Sequence, residues 1–188
     1  MKKFGITGSL ASGKTTASKI LSFKKGPLFS ADTIVKNLYR KKKFKSIVSR
    51  KFKIKKKGNL KKILKNKILS NSSNLNKLEN IIHPLVRGEM NKFIKKNKRK
   101  KLIFFEIPLL IESKLMKKFD VIIYVKAKKS VRLKRFLSKG GNKKLFQLLN
   151  GKQLSDSKKA KFAQHIIVNN KNIKILKTKL LYILNKYE

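Results

Sequence analysis

Gly8-Ser9-Leu10-Ala11-Ser12-Gly13-Lys14-Thr15 decides the fold. Its spacing is Gly, four residues, Gly, Lys, then Ser or Thr, and it stands between a β-prone run at 2–7 and a helical pattern over 14–23. Strand, glycine turn and helix is the context a phosphate-binding loop requires. The glycines let successive backbone N–H groups curl around a polyphosphate, and the helix N-terminus adds its positive dipole end. Lys14 is placed to reach the β and γ phosphates, and the Thr15 hydroxyl to ligate Mg²⁺.

Working outward, Pro27-Leu-Phe-Ser-Ala-Asp32 reads as a second strand ending in a carboxylate, followed by a helix through Ile34, Val35, Leu38 and Tyr39. From 41 to 98 no strand pattern occurs. Leu60, Ile63, Leu64 and Ile68, then Leu75, Leu78, Ile81, Ile82, Leu85, Val86, Met90 and Phe93, recur at helical intervals, so this stretch is a helical insertion. Ser70-Asn-Ser-Ser-Asn74 supplies loop and cap chemistry between two helices, and Pro84 predicts a kink in the second. Leu102-Ile-Phe-Phe-Glu106 and Val121-Ile-Ile-Tyr-Val125 are continuous apolar runs, as expected of strands covered on both faces. A helix over 130–139, a turn at Gly140-Gly141, a polar helical stretch to about 163, the strand Ile166-Ile-Val168 and a last helix to about Tyr187 complete the pattern. The expectation is α/β: a three-layer, doubly wound, parallel five-stranded sheet of the P-loop kinase type, with a helical insert and a lid.

Composition narrows the chemistry. The chain of 188 residues holds no Cys and two His, so a metal must be held by oxygen. No apolar run approaches the length of a membrane span, and the N-terminus passes straight into the first strand, so a cytoplasmic protein is expected. Lys plus Arg number 52 against 8 Asp plus Glu, a formal charge of +44, which would ordinarily suggest nucleic acid. Yet 46 of the cations are Lys, spread over every segment, whereas nucleic-acid surfaces favour Arg for bidentate and stacking contacts. Lys, Ile and Asn make up 81 of 188 residues, so the charge reads chiefly as AT-rich codon drift on solvated faces. The Lys runs 41–43, 55–57 and 98–101 are expected at surface turns.

A guanine-specific Asn-Lys-x-Asp sequence is absent, which leaves small-molecule kinases first. Such an enzyme needs a carboxylate to accept the acceptor hydroxyl's proton and cations on a closing lid. Among three Asp and five Glu, Asp32 at the end of the second strand is the best candidate; its bland alternative is an N-cap.

The chain resembles the dephospho-coenzyme A kinase family over essentially its whole length. Besides the loop, the match rests on Ala31-Asp32, Ile82-His83-Pro84-Leu85-Val86 and Ile107-Pro108-Leu109-Leu110-Ile111-Glu112. Arg132-Leu-Lys-Arg135, Gln153, Lys159 and Ile166-Ile-Val-Asn169 also fit. The resemblance implies phosphorylation of the ribose 3′-hydroxyl of dephospho-coenzyme A by ATP with Mg²⁺. It implies a nucleotide-binding core of 1–40, 99–137 and 156–188, an acceptor-binding insert at 41–98 and a lid at 138–155. Asp32 would be the general base, with Lys14 and Arg135 stabilising the transferring group and Thr15 holding the metal. ATP would lie on Gly8, Ala11, Ser12, Gly13, Lys14, Thr15, Thr16 and Asn169, and the acceptor near Asp32, His83, Pro84, Pro108 and Glu112. A monomer with no membrane and no functional nucleic-acid partner is expected. The chain departs from the family pattern at Ser30, where Asp is common, at Lys139, where Arg is usual, and at Gln164, where Asp precedes the last strand. A slower or looser lid is expected from these, because Lys lacks the bidentate fork.

Overall fold

The computed structural model describes residues 1–55 and 58–188. In chain order the elements are β1 (Lys2–Gly8), α1 (Lys14–Ser22), β2 (Leu28–Ser30), α2 (Ala31–Leu38), α3 (Lys42–Lys51), α4 (Leu60–Ser70), α5 (Ser73–Lys96), β3 (Leu102–Glu106), β4 (Val121–Lys126), α6 (Lys129–Leu137), α7 (Lys143–Gly151), α8 (Asp156–Ala160), β5 (His165–Val168) and α9 (Ile173–Asn185). They divide into two compact units, Met1–Ser30 with Asn97–Glu188, and Ala31–Lys96.

The first unit is built on a five-stranded sheet in the order β2-β3-β1-β4-β5, every pair parallel. Strand alternation divides the apolar runs between its faces. Phe4 and Ile6, Leu102 and Phe104, and Val121, Ile123 and Val125 join Ala17 and Leu21 of α1 and Leu176, Leu180, Ile183 and Leu184 of α9 in one core. On the other face, a Cβ on Gly5 would come within 2.6 Å of Leu110 and 2.9 Å of Phe119, so the segment after β3 packs directly on the sheet. Phe105 meets Phe119 edge to face at 5.2 Å between ring centroids. The parallel doubly wound expectation is met. Because the chain runs from β1 to β2 and β3 on one side and to β4 and β5 on the other, the switch point falls at the carboxyl end of β1, where α/β sheets bind ligands.

The elements of the second unit, among the described residues, are helices. Leu38, Phe44, Val48, Leu64, Ile68, Leu78 and Met90 are among its buried positions. Asn59 caps α4 by accepting from the Lys61 and Lys62 backbone N–H groups, and Asn71 Oδ1 accepts from Ser73 N at 2.9 Å where α5 begins. α5 continues through Pro84, which lacks the N–H for one intrahelical bond. α3 was not anticipated: Lys42 and Lys43 start a helix rather than a turn. Lys56 and Lys57 of the second Lys run lie outside the described residues. Among the described residues no helix is long and apolar enough to cross a membrane.

Candidate active site

The loop from Gly8 to Gly13 leaves β1 and enters α1 with geometry that only certain residues accept. Gly13 has φ 100°, and a Cβ there would lie 2.2 Å from Asn169 Nδ2. A Cβ on Gly8 would meet the Val125 carbonyl at 2.3 Å. Ala11 also has a left-handed φ of 58°. Lys14 is buried and its ammonium donates to the Ser9 carbonyl at 3.2 Å, curling back over the loop. Thr15 and Thr16 stand exposed in the first turn of α1.

Three elements brace this loop. At the end of α6, Arg135 Nη1 donates to the carbonyls of Ser12 at 3.4 Å and Asn169 at 3.1 Å. Asn169 Nδ2 donates to Ser12 O at 2.9 Å, so its amide is engaged with the loop's backbone. Arg132, 5% exposed, donates from Nε to Ala127 O at 3.1 Å and from Nη1 to Asn150 Oδ1 at 2.7 Å and Leu10 O at 3.4 Å. Gln153 Oε1 accepts from Leu10 N at 2.9 Å. The expected P-loop residues and Arg135, far apart in sequence, are thus brought together with Asn169.

Glu106 was missed as a site residue. It ends β3, is 1% exposed, and accepts from the Thr15 hydroxyl on Oε1 and from Ser30 Oγ at 2.8 Å on Oε2. Its signal was available: a carboxylate closing an apolar strand, among only eight acidic residues, on the edge the loop occupies. Ser30, the departure from the family's Asp, makes sense beside it. A second carboxylate there would face Glu106, whereas a hydroxyl donates to it.

Asp32 sits in the first turn of α2, not at the end of a strand. β2 pairs with β3 only from Leu28 to Ser30, and β3 itself ends at Glu106, so the next residues lack a ladder and turn into helix, where an acidic side chain suits the dipole. Pro108 accepts at its carbonyl from Thr7 Oγ1 at 3.1 Å. Glu112 accepts from Leu154 N at 3.2 Å and lies 2.8 Å from Lys159 Nζ. His83 and Pro84 belong to α5 in the second unit.

A further carboxylate, Asp156 at the start of α8, receives the hydroxyls of Ser9 and Tyr124. Burial alone would raise its carboxyl, but these hydrogen bonds and the charges of Arg132 and Lys126 hold it below the usual carboxylate range. Burial and the same contact push the Tyr124 phenol up.

The site is a phosphate cradle with a lysine, an adjacent hydroxyl–carboxylate pair and two arginines at its back. A protein from Bartonella quintana named dephospho-CoA kinase is 37% identical over 178 residues, 92% of this chain and 91% of that one. A solved dephospho-CoA kinase from Campylobacter jejuni superposes with a TM-score of 0.69 at 25% identity, covering 99% of this chain and 97% of that one. A crystal structure from Thermus thermophilus reaches a TM-score of 0.80 at 24% identity, over 100% of this chain and 98% of that one, and supports the fold. The dephospho-CoA kinase family model matches residues 3–174, from β1 into α9. With both the cradle and that span accounted for, the chain belongs to the dephospho-CoA kinase family.

Proposed function

We propose that this protein transfers the γ-phosphoryl group of ATP to the ribose 3′-hydroxyl of dephospho-coenzyme A, releasing ADP and coenzyme A. The observation that carries the reading is the Lys14–Thr15–Glu106 constellation at the carboxyl edge of the sheet, in a chain of this family. The acceptor oxygen bonds to the γ phosphorus, the bond to the β–γ bridging oxygen breaks, and the hydroxyl proton passes to Asp32. Lys14 and Arg135 oppose the negative charge of the transferring group, and the loop's N–H groups hold the phosphates.

The residues present fit Mg²⁺. Thr15 and Glu106 put a hydroxyl and a carboxylate side by side, hard oxygen donors suited to a cation that keeps several waters and binds chiefly through one or two protein oxygens and the nucleotide. Thr15 and Glu106 would hold the ion, and its chemistry there would be neutralisation of phosphate charge.

His83, Pro84, Pro108 and Glu112 are assigned to the acceptor side, residues 41–98 to acceptor binding and 138–155 to the lid. Lys139 supplies lid charge without the fork of an arginine. The protein acts as a cytoplasmic monomer. The test is coenzyme A formation from ATP and dephospho-coenzyme A, assayed beside ATP hydrolysis with and without RNA. Stoichiometric coenzyme A and ADP are expected. RNA-stimulated hydrolysis without coenzyme A would replace the reading with a nucleic-acid-dependent NTPase.

A further inference from the structure

The first variable residue of the loop is tied to a carboxylate that phosphoryl transfer itself does not use. Ser9, 2% exposed, donates to Asp156 Oδ1 at 2.7 Å, and the fully buried Tyr124 donates to the same oxygen at 2.6 Å. The two hydroxyl oxygens lie 3.1 Å apart. Two hydroxyl protons serve this triangle of three oxygens. Both point at the acceptor-only carboxylate, and the longest edge is left without one. Ionised Asp156 therefore sets the direction of both hydroxyls.

Ser9 passes that constraint to the cradle through its main chain. Its carbonyl accepts from Lys14 Nζ at 3.2 Å and from Ser12 N at 3.1 Å, so moving Ser9 moves the phosphate-binding ammonium and the turn of the loop. The residues just before Asp156 grip the next position: Gln153 accepts from Leu10 N, and Asn150 orients the Arg132 guanidinium that reaches Leu10 O. Residues 150–156 thus meet the Ser9 side chain and the Leu10 N–H directly, and the Leu10 carbonyl by way of Arg132.

We propose that Asp156 is a positioning residue for nucleotide binding, locking Ser9 so that the loop and Lys14 are preformed for ATP and registering the segment that follows α7 on that loop. The inference rests on the phosphotransfer reading for its kinetic form, while its binding form stands on the loop alone. Preorganisation of this kind is felt as affinity, because a loop left free must be ordered by the ligand.

The experiment compares the whole protein with Asp156→Ala, Asp156→Asn and Tyr124→Phe. It measures the Kd for Mg-ATP by calorimetry without acceptor, and KM for each substrate in coenzyme A formation. Charge-assisted hydrogen bonds are roughly twice as strong as neutral ones, so Asp156→Ala is expected to weaken ATP binding about tenfold. The KM for dephospho-coenzyme A should stay within about twofold. Asp156→Asn retains an acceptor oxygen and should recover most of the affinity, and Tyr124→Phe should lose about threefold. An unchanged Kd for ATP in Asp156→Ala and Tyr124→Phe overturns the proposal. So does an equal loss for both substrates that Asn does not rescue, which would make Asp156 part of the scaffold only. If Asp156→Ala does not fold, Asp156→Asn and Tyr124→Phe decide, and unchanged ATP affinity in Tyr124→Phe sinks the idea. A wild-type protein that binds ATP yet forms no coenzyme A would refute the reaction, and the calorimetric comparison would still judge Asp156.

Discussion

Lys159 Nζ lies 2.8 Å from Glu112 Oε1, with the lysine side chain wholly enclosed and the glutamate's 15% exposed. The pair joins the segment after β3 to α8, and the Leu154 N–H adds a second contact to the same oxygen. Neither the ammonium nor Glu112 Oε2 has a well-directed hydrogen bond among the described residues, so the attraction is ionic. Removing one partner of such a pair strands a buried charge. Glu112→Gln should therefore cost about 3–5 kcal/mol, read from urea denaturation, while Glu112→Leu with Lys159→Met should cost much less. A single variant as stable as the wild type would show that the pair carries no such burden.

Glu106 accepts from Thr15 on one oxygen, and Ser30 fixes the other. Glu106→Gln keeps the shape and removes the charge that would face the metal. The Mg²⁺ concentration for half-maximal rate should rise, and turnover should fall about 10²-fold, the scale of losing one preorganised electrostatic partner. A magnesium titration of both proteins at saturating ATP checks this. An unchanged magnesium midpoint would separate Glu106 from the ion.

Asp32 is exposed in the first turn of α2. General-base contributions run about 10² to 10⁴-fold, so Asp32→Asn should lose that much turnover while ATP still binds. Near-normal turnover would remove Asp32 from the proton transfer. The companion variant Lys14→Ala should lose phosphate affinity and turnover together.

How far these sites were legible follows from where their information lies. Buried strands wrote themselves as apolar runs, so Leu102 to Glu106 was bounded as observed. The loop's chemistry is local in sequence and equally readable. α3 was hidden because Phe44, Ile47 and Val48 are its few apolar residues among lysines, too sparse a stripe to stand out from a charge run. Glu106 closes an apolar strand in plain view, but its meaning comes from Thr15, 91 positions away. The Ser9–Asp156 bond spans 147 positions, and no spacing rule connects them. Gln164 looked like a loss, yet its Oε1 accepts from Ile122 N at 2.7 Å, so the position keeps an acceptor without the charge.

His165 accepts or donates at Nε2 with Tyr187 OH at 2.6 Å. Burial holds the imidazole below its ordinary value of 6.5, and the Lys186 charge adds to that. Below that ordinary value the unfolded chain takes up a proton that the folded chain resists. Stability contributed here is present above the ordinary value and is lost as pH falls from it to the lower folded one. Urea midpoints between about pH 7 and pH 5 should fall with acid more steeply for the wild type than for His165→Gln. Parallel curves would show that His165 does not carry the slope.

The +44 charge is mostly unopposed in the fold. Among the described residues the salt bridges include Lys25–Glu188, Lys92–Glu89 and Lys159–Glu112, and the buried cations are Lys14, Arg132 and Lys159. Nearly all the remaining lysines lie at least partly in solvent, where like charges repel across a distance that salt shortens to about 8 Å at physiological ionic strength. Compaction gathers those charges, so repulsion penalises the folded state more than the expanded chain. The thermal midpoint should therefore rise between about 10 mM and 150 mM NaCl, and KCl should act alike because screening depends on ionic strength. A nucleotide effect through the cradle would instead saturate with ATP at fixed salt. A midpoint that stays flat or falls over the NaCl series would mean that surface repulsion does not limit this fold.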